Sequence, residues 1–263
     1  VIEIIVISML TGVLAGFLGG LLGIGGGLII VPVLLIVFKH QGFEQEFIMI
    51  IAVATSLASV IFTALASSLA HHRLGTLNWD KALQMIPGIA IGALCGAMIA
   101  ERLASNWLET VYAIFLILVG LQMAFQLEPR QGTIKKSGVL DFVVSWIIGL
   151  VSSLVGIGGG TLTVPYLVSC RYPMRNAVAI SCACGIPIAL AGALSYLVLG
   201  WNAGGMPAGS LGYIYLPAFA GIVVLSMPAA RLGARWAYKL PVKHLKRYFS
   251  LLIFFMAAKL LFQ

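Results

Sequence analysis

Apolar residues fill this chain in long unbroken blocks, and the polar residues collect in the short gaps between them. Six blocks, at about 47–70, 82–100, 107–126, 177–200, 211–230 and 245–262, each hold the roughly 20 residues a helix needs to cross a bilayer. Two longer stretches, 1–38 and 139–170, are each interrupted by the sequence GIGGG, at 23–27 and 156–160. About 17 to 22 residues precede each break and about 11 or 12 follow it, and at 1.5 Å per residue the trailing piece cannot span alone. Three glycines in a row break a helix rather than continue it. The pattern therefore predicts a helix, a glycine turn and a half-helix.

This unit occurs twice. GLLGIGGGLIIVP (20–32) and SLVGIGGGTLTVP (153–165) agree at 8 of 13 positions, and AVATS (52–56) answers AVAIS (177–181) at 4 of 5. Pro87 is expected to answer Pro217, which makes the offsets 133, 125 and 130. The implied organisation is a first repeat at 1–126, a polar linker at 127–138 and a second repeat at 139–263, together one transport domain. If each broken stretch is a hairpin that returns to its starting side, a repeat has five segments and the second repeat enters inverted. The loops at 70–81, 127–138, 170–176 and 231–247 then share a face with 13 of the 16 basic residues, leaving only Lys39, Arg102 and Lys259 opposite. Counting each broken stretch as one crossing makes the repeats parallel and divides the basic residues only 10 to 6. The positive-inside rule favours the 13 to 3 split and so the 5+5 inverted repeat.

Composition agrees: 61% of residues are hydrophobic and 9% charged, against roughly 25% charged in soluble domains. The net charge of +8 sits in the gaps, so it reads as loop anchoring, and nucleic-acid binding or an aqueous enzyme fold is excluded as a first reading. Residues 1–10 contain Glu3 and no basic residue, so a cleaved signal peptide is not expected. Cys95, Cys170, Cys182 and Cys184 read as buried thiols without a disulfide framework. His71 and His72 beside Arg73 read as interfacial loop residues, and no metal or cofactor is expected. Trp79, Trp107, Trp201 and Trp236 fall at segment ends, as an aromatic belt requires, and Pro187 and Pro228 fall inside spans.

The glycine breaks carry the candidate chemistry. Half-helices beginning at Gly27 and Gly160 would point bare N–H groups and positive dipole ends into the protein centre, which holds an anion without a buried cation. No Lys, Arg, Asp or Glu lies centrally in any expected span. The candidate anion site comprises Gly25, Gly26, Gly27 and Leu28 of the first tip and Gly158, Gly159, Gly160, Thr161 and Thr163 of the second. Thr55, Ser56 and Ser181 on the following helices complete it. Arg171 and Arg175 read first as ordinary positive-inside anchors and second as a candidate vestibule that gathers anions. The competing reading, glycines that only permit close helix crossing, is assigned to Gly16, Gly19, Gly20, Gly92, Gly96 and Gly149.

The paired GIGGG…VP hairpins, each followed by an AVxxS helix, resemble the TauE/SafE family of sulfite and organosulfonate exporters, also called TSUP permeases. The resemblance spans essentially the whole chain. It implies a multi-pass carrier of small sulfur anions in the cytoplasmic (inner) membrane of a prokaryote. Ile180, where the first repeat has Thr55, departs from equal contributions by the two halves. An inside-negative potential favours anion efflux by about 2.3 kcal/mol per charge per 100 mV, so an exporter needs no coupling ion. An anion channel using the same tips as a filter is the alternative. A membrane enzyme has no visible nucleophile or acid–base cluster to support it.

Overall fold

The structure, a computed structural model, describes residues 2–125, 138–237 and 242–261, with side chains over 3–125, 138–237 and 249–260. The described residues form ten helices: α1 (Ile2–Leu22), α2 (Gly27–His40), α3 (Gln45–Arg73), α4 (Trp79–Arg102), α5 (Ser105–Ala124), α6 (Gly138–Val155), α7 (Gly160–Ser169), α8 (Met174–Leu199), α9 (Leu216–Trp236) and α10 (Val242–Leu261). One small antiparallel ribbon, β1 (Ser210–Leu211) with β2 (Ile214–Tyr215), joins α8 to α9. Helices α1, α3, α4, α5, α6, α8 and α9 are long and apolar enough to cross a membrane. The chain is an all-α integral membrane protein. The 14 residues of α2 and the 10 of α7 fall short of a span.

Glycines set the closest helix seams. Gly12, Gly16 and Gly20 recur every fourth residue of α1, and a Cβ on each would run into the backbone of Ile222, Ser226 and Ala230 of α9. Gly88, Gly92 and Gly96 of α4 abut Phe142, Trp146 and Leu150 of α6 in the same way. In both seams the numbers rise together, so α1 runs parallel to α9 and α4 parallel to α6. Lipid supplies no hydrophobic drive for helix association, and backbones brought this close gain dispersion contact instead. Gly149 answers from α6 against Ile89. The packing role expected of Gly16, Gly20, Gly92, Gly96 and Gly149 is thus what the structure shows, while Gly19 packs within its own hairpin, against Gly26.

Helix α3 runs through the centre, and every residue from Ile48 to Val60 is buried. Packing is reciprocal between the halves: α1 lies on α9 as α6 lies on α4, α2 on α3 as α7 on α8, and α3 on α9 as α8 on α4. The remaining partners, α3 with α8 and α5 with α10, exchange with one another. Past each break the chain doubles back. Gly26 meets Ala15 of α1, and Tyr166 of α7 bonds to Asp141 in the first turn of α6.

At its far end α2 meets α5 through Lys39 and Glu109 (3.3 Å) and the start of α9 through Phe38 and Tyr215, whose rings lie edge to face. Both half-helices end in the same turn. Phe43 N–H bonds to Phe38 O past Gly42, and Tyr172 N–H to Leu167 O past Arg171. Glycine is the usual residue in the left-handed slot of that turn. Arg171, at φ 70, fills it in the second copy.

Several sequence expectations change. Helix α9 covers 216–236 rather than 211–230, because 211–215 is drawn into the ribbon; Arg231 and Arg235 therefore ride the end of a helix, not a loop. His71 and His72 belong to the last turn of α3, and His71 is buried with Nε2 3.4 Å from Gly20 O. Pro87 lies within α4 whereas Pro217 opens α9, so this pair is not structurally equivalent. Cys95 is only half-buried, while Cys170, Cys182 and Cys184 are buried, and all four are free thiols. Lys81 is a buried partner of Asp141 rather than a surface anchor. The expected linker at 127–138 lies outside the described residues except for Gly138, which opens α6. Trp79, Trp107, Trp201 and Trp236 are exposed at helix ends.

Candidate functional site

The two glycine turns bring the starts of α2 and α7 together inside the bundle. Gly26 and Gly159 cap these helices in the left-handed conformation, at φ 82 and 76. That conformation costs an ordinary residue roughly 1–2 kcal/mol and glycine almost nothing. The first amides bonded around each turn are Ile29 to Gly26 O (3.0 Å) and Leu162 to Gly159 O (3.1 Å). The N–H groups of Gly27, Leu28, Gly160 and Thr161 precede them and have no intrahelical acceptor.

The tips touch backbone to backbone. A Cβ on Gly25 would lie 2.9 Å from Gly158 Cα, and one on Gly158 would lie 3.0 Å from Gly25 Cα. Gly27 abuts the carbonyl of Gly156, and Gly160 abuts that of Gly23. Each positive helix end is therefore set against a carbonyl of the opposite tip. Any side chain at Gly27 or Gly160 would force the tips apart.

Hydroxyls from the following helices cross between the halves. Ser56 on α3 donates to Gly156 O at 2.8 Å, and Ser181 on α8 shares its proton between Val178 O at 2.8 Å and Gly23 O at 3.2 Å. Thr63 donates to Gly25 O at 3.2 Å and to Val60 O at 3.0 Å. Thr163 donates to Gly159 O of its own helix at 2.8 Å. Thr55 accepts the Tyr215 N–H at 3.0 Å, which ties α3 to the β2–α9 junction rather than to the tips. Thr161 differs from all of these: it is 6% exposed and its hydroxyl has no partner. A buried hydroxyl left unbonded costs about 1–3 kcal/mol, and this one lies at the start of a half-helix.

The family described as "Sulfite exporter TauE/SafE" matches residues 8–260. The chain belongs to the TauE/SafE family. A probable membrane transporter protein of Haemophilus influenzae is 37% identical to it over 255 residues, covering 96% of both chains. A probable membrane transporter protein of Methanocaldococcus jannaschii is 29% identical over 247 residues, covering 90% of this chain and 88% of the relative. One from Bacillus subtilis is 28% identical over 215 residues, covering 74% and 79%. This TauE/SafE member is thus a multi-pass membrane protein of a transporter family.

Of the residues singled out in the sequence, Gly25, Gly27, Gly158 and Gly160 meet at the tips. Gly26 and Gly159 cap the half-helices, and Ser56 and Ser181 brace the tips from opposite halves. Leu28 is fully buried in the first turn of α2. Arg171 and Arg175 are exposed at the far end of α7 and the start of α8, away from the tips. Sequence reasoning passed over Gly23 and Gly156, whose carbonyls receive the serine protons, although each opens its GIGGG motif. It also missed Lys81, Asp141 and Tyr166. Their only sequence signal is an acidic residue in the first turn of an expected span.

Proposed function

We propose that this protein is a secondary transporter that exports small sulfur-containing anions such as sulfite or organosulfonates. In this reading the anion binds where the two half-helix tips meet. The observation that carries the reading is the convergence of two half-helix starts, with Gly27, Leu28, Gly160 and Thr161 offering N–H groups and Thr161 adding a buried, unpartnered hydroxyl. Donors of this kind suit a tetrahedral or pyramidal oxyanion. The description of the matched family as a sulfite exporter supports both the cargo and the direction. Close tip-to-tip packing supports a carrier over a channel, because the tips must part before anything passes.

Residues 1–126 and 139–263 act in this reading as inverted repeats of one transport unit in the cytoplasmic membrane. Support comes from the parallel α1/α9 and α4/α6 seams together with the two reversals at the breaks. A hairpin that returns to its own side, followed by three crossings, leaves the second repeat starting from the opposite face. No chemical step on the anion is required. Purified protein in liposomes loaded with sulfite, sulfate or methanesulfonate tests the proposal. Efflux of at least one of these anions, saturable and absent from protein-free liposomes, is expected. Conductance far above carrier turnover would favour a channel, and no flux of any of the three would refute the proposal.

A further inference from the structure

A second polar site lies near the end of the bundle where α4 and α6 begin. Lys81 is 4% exposed and Asp141 8%, and Lys81 Nζ lies 2.7 Å from Asp141 Oδ2. The Tyr166 hydroxyl donates to the other carboxylate oxygen, Oδ1. The site joins α4 of the first half to α6 and α7 of the second. At the 133-residue offset the first-half counterparts of Asp141 and Tyr166 are Ser8 and Val33, so the repeat fold itself does not call for this arrangement.

Polar groups continue from the ion pair toward the tips on the same helices. One turn further along α6, Ser145 is fully buried and its hydroxyl has no partner. On α7, Thr161 stands between Tyr166 and the tip, also buried and unpartnered. On α8 the Cys184 thiol lies within electrostatic reach of Lys81, and its neighbour Gly185 faces the Gly158 carbonyl of the tip. The titratable groups facing the carboxylate are thus Lys81 from α4 and Tyr166 from α7; Cys170 adjoins Tyr166, and Cys184 lies within electrostatic reach of Lys81.

A buried ion pair is weak evidence for stability, since apolar packing would serve as well, and charges within membrane helices mark ion or proton pathways. We propose that Lys81 is an anion subsite on the way to the tips, and that Asp141 is a proton site that uncovers it. The proposal rests on the anion-carrier reading above and adds its coupling. An arriving anion replaces the Asp141 carboxylate on Lys81, and Asp141 takes one proton from the adjoining aqueous face. Before the exchange Lys81 and Asp141 carry +1 and −1. Afterwards Lys81 and a monovalent anion carry +1 and −1 and Asp141 is neutral, so the buried site never holds net charge. Ser145 and Thr161 supply hydroxyl donors to the anion as it moves toward the tips. Each monovalent anion then travels with a proton as an electroneutral pair, so its efflux follows the anion's own gradient rather than the membrane potential.

The test uses the full chain in liposomes, with radiolabelled methanesulfonate, a monovalent anion that does not titrate near neutral pH, and an internal pH dye. Wild type should take up label at least fivefold faster at external pH 6 than at pH 8, with internal acidification. Asp141→Asn, which fixes the neutral form, should still exchange internal for external label. Its rate should vary less than twofold over that range, without acidification. Lys81→Gln should lower uptake at least tenfold and Lys81→Arg should restore most of it. Because a lone buried charge can impair folding, the Lys81→Gln/Asp141→Asn double variant is measured as well; it should fold, with pH dependence absent. Wild-type uptake without acidification, or an unaltered pH profile in either folded Asp141 variant, would overturn the coupling while leaving the carrier intact. Failure of wild type to move any anion would overturn both.

Discussion

Ser56→Ala isolates the brace between the halves. Ser56 Oγ gives its only proton to Gly156 O at 2.8 Å, in a fully buried setting. Removing it forfeits about 0.5–1.5 kcal/mol of net hydrogen bonding and leaves a buried acceptor bare, at about 1–3 kcal/mol. Hydrogen bonds between membrane helices measure lower, about 0.6 kcal/mol on average and about 1.7 at most. The expected cost is therefore about 1–2 kcal/mol. Ser181→Ala should cost about half as much, because its proton already favours Val178 O at 2.8 Å over Gly23 O at 3.2 Å. Reversible unfolding in mixed detergent micelles, monitored by tryptophan fluorescence, gives both values. Equal midpoints for wild type and both variants, or a larger loss in Ser181→Ala, would refute the assignment of these hydroxyls to the opposite tips.

Four further outcomes are expected. Gly92→Ala forces a Cβ against the Trp146 carbonyl and should destabilise the α4/α6 seam by about 1–3 kcal/mol in the same unfolding assay. Gly204→Ala, with nothing within 4 Å, should stay within about 0.5 kcal/mol of wild type. Thr161→Val removes an unsatisfied buried hydroxyl, so stability should hold, while the half-saturating sulfite concentration in flux assays should rise about 10-fold or more. In whole cells, an impermeant thiol reagent should label cysteines placed at Gln41 and Gly204 and miss those at Leu74 and Gly138; finding Gln41 and Gly204 on opposite faces would rule out the inverted arrangement and restore the parallel one.

The spans were legible because lipid-facing helices need long apolar blocks, and the two GIGGG breaks were legible because nothing else halts such a block so sharply. The half-helices begin at Gly27 and Gly160, where the glycine pattern predicts. The end of α9 was less visible, since Arg231 and Arg235 look like loop anchors until the helix is seen to carry them out of the apolar zone. Ser56 and Ser181 stood out by recurring in both copies. Recurrence could not say whether their protons go to a ligand or, as observed, to a carbonyl across the repeat boundary. Lys81 and Asp141 were hidden because they lie 60 residues apart in the chain and meet only when α4 and α6 pack in parallel.

The central claim is that the meeting tips of α2 and α7 hold a sulfur-type oxyanion. Its most direct test is an experimental density map of the protein saturated with selenite, a heavier analogue of sulfite, with the anion located by its anomalous signal. The account predicts a peak between the tips, within hydrogen-bonding distance of the Leu28 and Thr161 N–H groups and the Thr161 hydroxyl, whether or not a second peak lies at Lys81. Peaks only elsewhere in the bundle, with the tips still packed against each other under conditions where the protein carries the anion, would contradict it.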